Sequence, residues 1–356
     1  MFKKVTAVFL ACAGLASLLS CGTVINQYVI AAVPAANELV VYREDPNSGI
    51  LTVLAGSPFA AGLGVQSVAL HPSGKFFYAA NSGEGDISLF TLSAGVPTEQ
   101  PPRTSVTPGG TTPEILAVDS AGAYLYVANV GSNNVSVFSI ASNGDLSEVS
   151  GSPFPIGMQP LNMAIAPSGN FLYVTGGTFS PGSLEVFSLS AGVLAFVQSQ
   201  QTGTSPNGLV IDPTGSYLYA ANTEDGSISE FAIQSDGTVN PISGSPVFES
   251  PTSSAPIALL VDKASKFLFV ANQGANNVAG FSIGSGGGLS VLSNSPFTSN
   301  KQPVSLALDP SGEFVFVGNS SSPAIQSFSM NTSAGTLTSV GSYPVGNTAT
   351  SIFVAK

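Results

Sequence analysis

The chain has 356 residues with 9 Lys and Arg against 20 Asp and Glu, a net charge of −11 at pH 7. The basic residues form no cluster, which argues against nucleic acid as a partner, and the acidity argues against electrostatic adhesion to anionic lipid head groups. Only 8% of residues are charged, beside 39 Gly, 25 Pro and no Trp, so small polar Ser, Thr and Asn are expected to coat the surface of a large β fold.

Residues 1–20 read as an export signal: Lys3 and Lys4, then an apolar run from Val5 to Leu19, short for a membrane-spanning helix. The run ends in Leu18-Leu19-Ser20-Cys21, which resembles the lipobox of bacterial lipoproteins, in which the cysteine becomes the lipidated first residue. Loss of the signal removes Cys12 and leaves Cys21 alone, so neither a disulfide nor a cysteine metal site is available. Residues 21–26 then form a lipidated linker, and 27–356 the folded domain.

The first repeat copy is incomplete. Tyr28 to Ala32 and Leu39 to Tyr42 supply a second and third strand and Ile50 to Leu54 a fourth, but no first strand precedes them. The unit is complete from Pro113 to Ile140: an apolar run, the turn Asp119 to Gly122, a second run ending at Asn129, a Gly/Asn turn and an alternating third run. Second-run endings recur as Tyr78 to Asn81, Tyr126 to Asn129, Tyr173 to Gly176, Tyr219 to Asn222, Phe269 to Asn272 and Phe316 to Asn319, spaced by 46 to 50 residues. Fourth strands are marked by Leu51, Leu146 and Leu289, three of which run on to Ser-Pro-Phe at 57–59, 152–154 and 295–297. The closing residues, Ala349 to Ala355, have the first-strand pattern and no copy of their own. The spacing predicts an all-β, seven-bladed β-propeller of four antiparallel strands per blade, the first blade completed by the C-terminal strand.

These Asp-Pro/Ser-X-Gly turns and Tyr-Val-Ala-Asn-like strands resemble the lactonase-type propellers, of the 6-phosphogluconolactonase and YVTN repeat kind, over residues 27 to 355. The resemblance implies a sugar-lactone hydrolase with histidines near inner-strand starts and arginine and glutamate nearby. At the two positions counted back from Asp119 this chain has Thr112 and Glu114, and after the signal it holds one His, His71, and two Arg, Arg43 and Arg103. Asn129 and its counterparts are expected to take the left-handed conformation of a hairpin turn.

His71 occupies the turn slot of Asp119, Asp212, Asp262 and Asp309, and is read as a turn residue. Glu114 is the one charge in a ring whose other members are Gln66, Leu161, Asn207, Ile257, Val304 and Thr350, all at inner-strand starts around the expected channel mouth. It is the candidate catalytic carboxylate, with Arg103 as its partner from the end of the second blade's fourth strand, against the competing reading of Arg103 in an outward ion pair. Gln66, Asn162 and Asn207 are the candidate ligand-binding residues. Glu84-Gly-Asp86 and Glu224-Asp-Gly226 lack calcium-loop spacing, and no metal or cofactor is expected. The reading is a monomeric, lipid-anchored extracytoplasmic propeller that acts as a binding or scaffold module for a glycan or protein, with a divergent lactone hydrolase acting on a sugar lactone through Glu114 and Arg103 as the alternative.

Overall fold

A computed structural model describes residues 26–177, 181–249 and 254–356; the segment read as an export signal, and Cys21, lie outside them. The described residues contain no α-helix and form seven antiparallel sheets. Blade 1 is built from Gln27–Val33, Glu38–Glu44 and Leu51–Val53, with Ser351–Ala355 as its innermost strand. The inner strands of blades 2 to 7 are Val65–Leu70, Pro113–Val118, Pro160–Ile165, Pro206–Ile211, Pro256–Val261 and Pro303–Leu308.

The second strands explain why the fold is a ring. Every residue of Gln27–Val33, Phe76–Asn81, Phe267–Asn272 and Phe314–Asn319 is buried, because alternate side chains serve opposite neighbours. Tyr28, Ile30 and Ala32 pack with Phe77, Ala79 and Phe90 of blade 2, whereas Val29, Ala31 and Val33 pack with Phe314, Phe316 and Ile325 of blade 7. Phe76, Tyr78 and Ala80 in turn meet Leu125, Val127 and Phe138 of blade 3. The motif tyrosines extend this beyond packing: Tyr78, Tyr173 and Tyr219 donate to the Gly144, Gly237 and Gly287 carbonyls of the following blade at 2.7, 2.9 and 2.7 Å.

Four outer strands are interrupted and three are continuous. Where the strand breaks, a serine hydroxyl replaces the missing backbone acceptor: Ser57, Ser152, Ser245 and Ser295 accept the amides of Val41, Val137, Glu230 and Gly280 at 2.8 to 2.9 Å. This accounts for the Ser-Pro-Phe recurrences, and for a fourth copy, Ser245-Pro246-Val247, that the aromatic-based pattern passes over.

The strand-end asparagines have a different role from the one expected. Left-handed φ belongs to the residue four places on, at Gly85, Asn133, Gly226 and Asn276, while Asn81, Asn129, Asn222 and Asn272 are not among the left-handed residues. They are buried cross-braces instead: Asn129 Nδ2 donates to Asn134 Oδ1 and Ser136 Oγ at 2.8 and 2.9 Å, and Asn222 Nδ2 to Ser227 and Ser229 Oγ at 2.9 Å.

The ring closes as the sequence predicts. Ser351–Ala355 pairs antiparallel with the first described strand, Tyr28 opposite Ala355 and Ala32 opposite Ser351. Thr350 Oγ1 donates to the Gln66 carbonyl at 2.7 Å and Ser305 Oγ to the Ala349 carbonyl at 3.1 Å, tying this strand to blades 2 and 7. Deleting Thr348 to Lys356 should therefore lower unfolding free energy by several kcal/mol, through lost ladder bonds and exposure of the apolar surface around Ile352. Denaturant unfolding tests this; a truncated protein that melts within a degree or two of the full chain would rule out closure by this strand.

Glu44, 2% exposed, has no hydrogen bond on either carboxylate oxygen among the described residues. Burial, with Asp309 and Asp45 adding repulsion, pushes its carboxyl from the ordinary 4.5 up to about 8. The folded protein thus holds a proton that the unfolded chain releases, and the associated stability, full below about 4.5, is lost as pH rises through about 8. Unfolding free energy should fall between these values in the parent and fall less in Glu44→Gln; parallel slopes in the two proteins would remove Glu44 as the cause.

Candidate functional site

One geometric device repeats at the start of six inner strands. The strand begins paired, skips one residue in a β-bulge and resumes: Asn129 faces Pro113 and Ala128 faces Ile115, leaving Glu114 out of the ladder. The same shift leaves out Gln66, Leu161, Asn207, Ile257 and Val304. A bulged residue is freed from pairing and re-aimed, and all six, with Thr350 of the closing strand, line one cavity of about 780 Å³ at the centre of the ring.

Backbone strain sits directly before the bulges. Gly64, Thr112, Ser205, Ala255 and Gln302 have φ of 67, 55, 55, 50 and 55°. Such a conformation is uncommon for a side-chain-bearing residue and is most strained for β-branched Thr112. Each is held by its own carbonyl, which accepts the amide of the residue just past the second strand, namely Ser82, Val130, Thr223, Gln273 and Ser320, at 2.8 to 3.2 Å. Val130, Gln273 and Ser320 also line the cavity. They were missed in the sequence, although the position after each strand-end asparagine is a readable signal for them.

The cavity wall is rich in hydrogen-bonding groups and carries little charge. Gln66, Gln159, Asn207, Gln273, Ser320, Thr348 and Thr350 contribute amides and hydroxyls; among the described residues Glu114 is the one charged lining residue, and no Lys, Arg or His lines the cavity. Burial raises the Glu114 carboxyl above its ordinary value, and no hydrogen bond to it is found among the described residues. Asn162 also lines the cavity, but both ends of its amide serve the scaffold, Nδ2 donating to the Asn207 carbonyl at 2.7 Å and Oδ1 accepting the Met163 amide at 2.8 Å. Asn207 Nδ2 is likewise held by Thr223 Oγ1 at 2.8 Å.

Arg103 is not brought to Glu114. It lies near the end of the outer strand Val96–Ser105, as counted, but is not among the lining residues. Its Nε donates to Glu99 Oε1 at 2.6 Å and its Nη1 pairs with Glu84. Glu99 in turn accepts Ser88 Oγ, which accepts Asn81 Nδ2, so the guanidinium ends a chain of hydrogen bonds inside blade 2. The outward ion pair is what forms, because two carboxylates lie within its reach.

His71 is a turn residue. Its Nδ1 accepts the Ser73 amide at 3.1 Å, the bond that Asp212 and Asp309 make in their turns, and its ring stacks on Phe76 with centroids 4.3 Å apart. Nε2 lies 3.0 Å from the Gly122 carbonyl, which assigns the proton to Nε2 and links blades 2 and 3.

A family model described as "Lactonase, 7-bladed beta-propeller" matches residues 67–256 and 249–354. A 6-phosphogluconolactonase of Pectobacterium carotovorum subsp. carotovorum is 28% identical over 223 residues, 61% of this chain and 50% of that protein. One of Pectobacterium atrosepticum is 32% identical over 117 residues, 31% and 35% of the two. The chain thus spans half or less of the curated relatives it matches. Among solved structures, a Lactobacillus plantarum protein superposes with a TM-score of 0.79 at 19% identity, covering 93% of this chain and all of the other. The Pseudomonas aeruginosa periplasmic gluconolactonase does so with 0.76 at 19% identity, covering 93% and 99%. At these identities the superpositions speak for the fold, and the family match for descent: the chain belongs to the seven-bladed β-propeller lactonase family.

Proposed function

We propose that the protein binds a neutral, polyhydroxylated ligand, a glycan end or an unphosphorylated sugar lactone, in the central cavity, and that it does so outside the cytoplasm on a lipid anchor at Cys21. The observation that carries this reading is the wall chemistry: amides and hydroxyls from all around the ring, one carboxylate and no cation. Amide and hydroxyl groups both donate and accept, which matches sugar hydroxyls, whereas a phosphate ester would meet no positive charge and one negative one. The Gln66 amide and the Asn207 Oδ1 are assigned to the ligand, Asn207 Nδ2 being held by Thr223 and Ser205, with Glu114 as its charged acceptor.

Hydrolysis of a sugar lactone is the second reading, favoured by the names of the relatives and by the freed, half-buried Glu114. The Glu114 carboxylate would take a proton from water as the water oxygen attacks the lactone carbonyl. The tetrahedral adduct then expels the ring oxygen, which receives the proton, and the product is the open hydroxy acid. A carboxyl raised by burial is a stronger base than an ordinary glutamate, so the rate should rise with pH through a midpoint above the ordinary glutamate range.

Three outcomes test these statements. Purified protein titrated with glucono-δ-lactone and its 6-phosphate should favour the neutral compound. Glu114→Gln should weaken binding about tenfold or, if turnover occurs, lower kcat by about 10²-fold or more and abolish the pH midpoint. Equal affinity and turnover in parent and variant would place the ligand elsewhere. Cys21→Ser should release folded protein from the membrane fraction; retention at the parental level after a salt wash would exclude the anchor.

A further inference from the structure

The repeat is broken between blades 5 and 6. In blades 2, 3 and 5 a glycine of the segment crossing from the previous blade roofs the strand-end asparagine. A Cβ on Gly62 would collide with the Asn81 amide, one on Gly110 would come within 2.7 Å of Asn129 Nδ2, and one on Gly203 within 2.6 Å of Asn222 Cγ. Before blade 6, Glu249, Ser254 and Asn272 instead line a cavity of about 210 Å³.

The polar end of this cavity holds a carboxylate beside neutral polar groups, with no cation among the described lining residues. Glu249 is 6% exposed and Ser254 1%, and both Glu249 carboxylate oxygens, Ser254 Oγ and Asn272 Oδ1 are buried without a hydrogen-bond partner among the described residues. Asn81 and Asn129 leave the same amide oxygen unpaired, and Ser299 brings a hydroxyl to Asn319 Oδ1 at 2.9 Å before blade 7, so neither group alone signals anything; the buried Glu249 carboxylate is what sets this interface apart. The rest of the wall is largely apolar, with Phe281 and Pro296, and Val291, 62% exposed, carries it to the surface.

We propose that this cavity binds a primary alkylammonium ion, a small amine or a lysine side chain, with Glu249 as its counter-ion. An ammonium group has three N–H donors and no acceptor, which suits a carboxylate, a hydroxyl and an amide oxygen that can all accept, while an alkyl stem suits the apolar wall. A hard metal ion such as Ca²⁺ takes roughly six to eight oxygens, and the apolar side of this cavity offers none. A buried carboxylate without a counter-charge is costly, and the net charge of −11 draws cations toward the protein. Burial, opposed by the adjacent Ser254 and Asn272 groups, holds the Glu249 carboxyl above the ordinary range, a shift that a bound ammonium would reverse.

The test is a titration of the purified protein with n-butylammonium chloride, followed by calorimetry and ligand-observed NMR, with tetramethylammonium and sodium chloride as controls. Saturable one-to-one binding is expected, with a Kd of roughly 1 mM for so small a ligand, and neither control should compete. Glu249→Gln should weaken it at least tenfold. Val291→Trp, at an exposed position on the rim, should weaken it as well and serves if the first variant fails to fold. Comparable binding of Nα-acetyl-lysine N-methylamide would identify a lysine side chain as the source, and binding of butylammonium alone a free amine. The proposal falls if no saturable binding is seen, if both variants bind as the parent does, or if Ca²⁺ binds through Glu249 while butylammonium does not.

Discussion

The second strand of each blade lies between two neighbours, and this two-sided burial is the constraint from which the rest of the structure follows. Each of the seven apolar clusters joins adjacent blades, with alternate residues of one strand divided between two of them. A blade on its own would expose one apolar face whichever way it turned, so the array is stable only when no blade is terminal. Closure by Ser351–Ala355 meets that demand, placing the last strand against the first and under the cluster shared by blades 7 and 1. The described residues hold no cysteine, so this packing supplies their stability without a disulfide.

The same constraint releases the channel-facing positions. Residues of the second strands cannot change without disturbing two interfaces, whereas the bulged residues belong to no ladder and touch no cluster core. Their identities across the ring, Gln, Glu, Leu, Asn, Ile, Val and Thr at equivalent places, show a site written independently of the scaffold that carries it. The strained residues just before them, Thr112 above all, are retained in a conformation their side chains disfavour, because the carbonyl bond to the following hairpin overdetermines it.

Repetition made the fold and the ring legible in the sequence. Counting from the Asp/Gly turns locates the same place in every copy, and all seven positions found this way line one cavity. What counting lacks is direction. Arg103 was placed correctly along its strand, but whether its side chain would reach the channel or the carboxylates of Glu84 and Glu99 depends on contacts no spacing encodes. The asparagines failed for a related reason: a residue type that tolerates left-handed φ is also an efficient buried cross-brace, and only the structure shows that Asn129 serves as the latter and Asn133 as the former. Asn162, a candidate ligand-binding residue, lines the cavity, yet its amide is already spent on Asn207 and Met163.

The sign of the charge in the central cavity bears on binding and on catalysis together. A wall with one carboxylate and no cation accepts a neutral ring and disfavours an anion, and opening a lactone turns the first into the second. In a catalytic cycle that asymmetry would speed product departure, because the new carboxylate meets Glu114 across a partly desolvated space. In a binding protein it would exclude sugar acids and phosphates and leave the neutral glycan as the ligand. The two readings therefore share one selectivity and differ in whether a water molecule is positioned beside Glu114 when the ring is full.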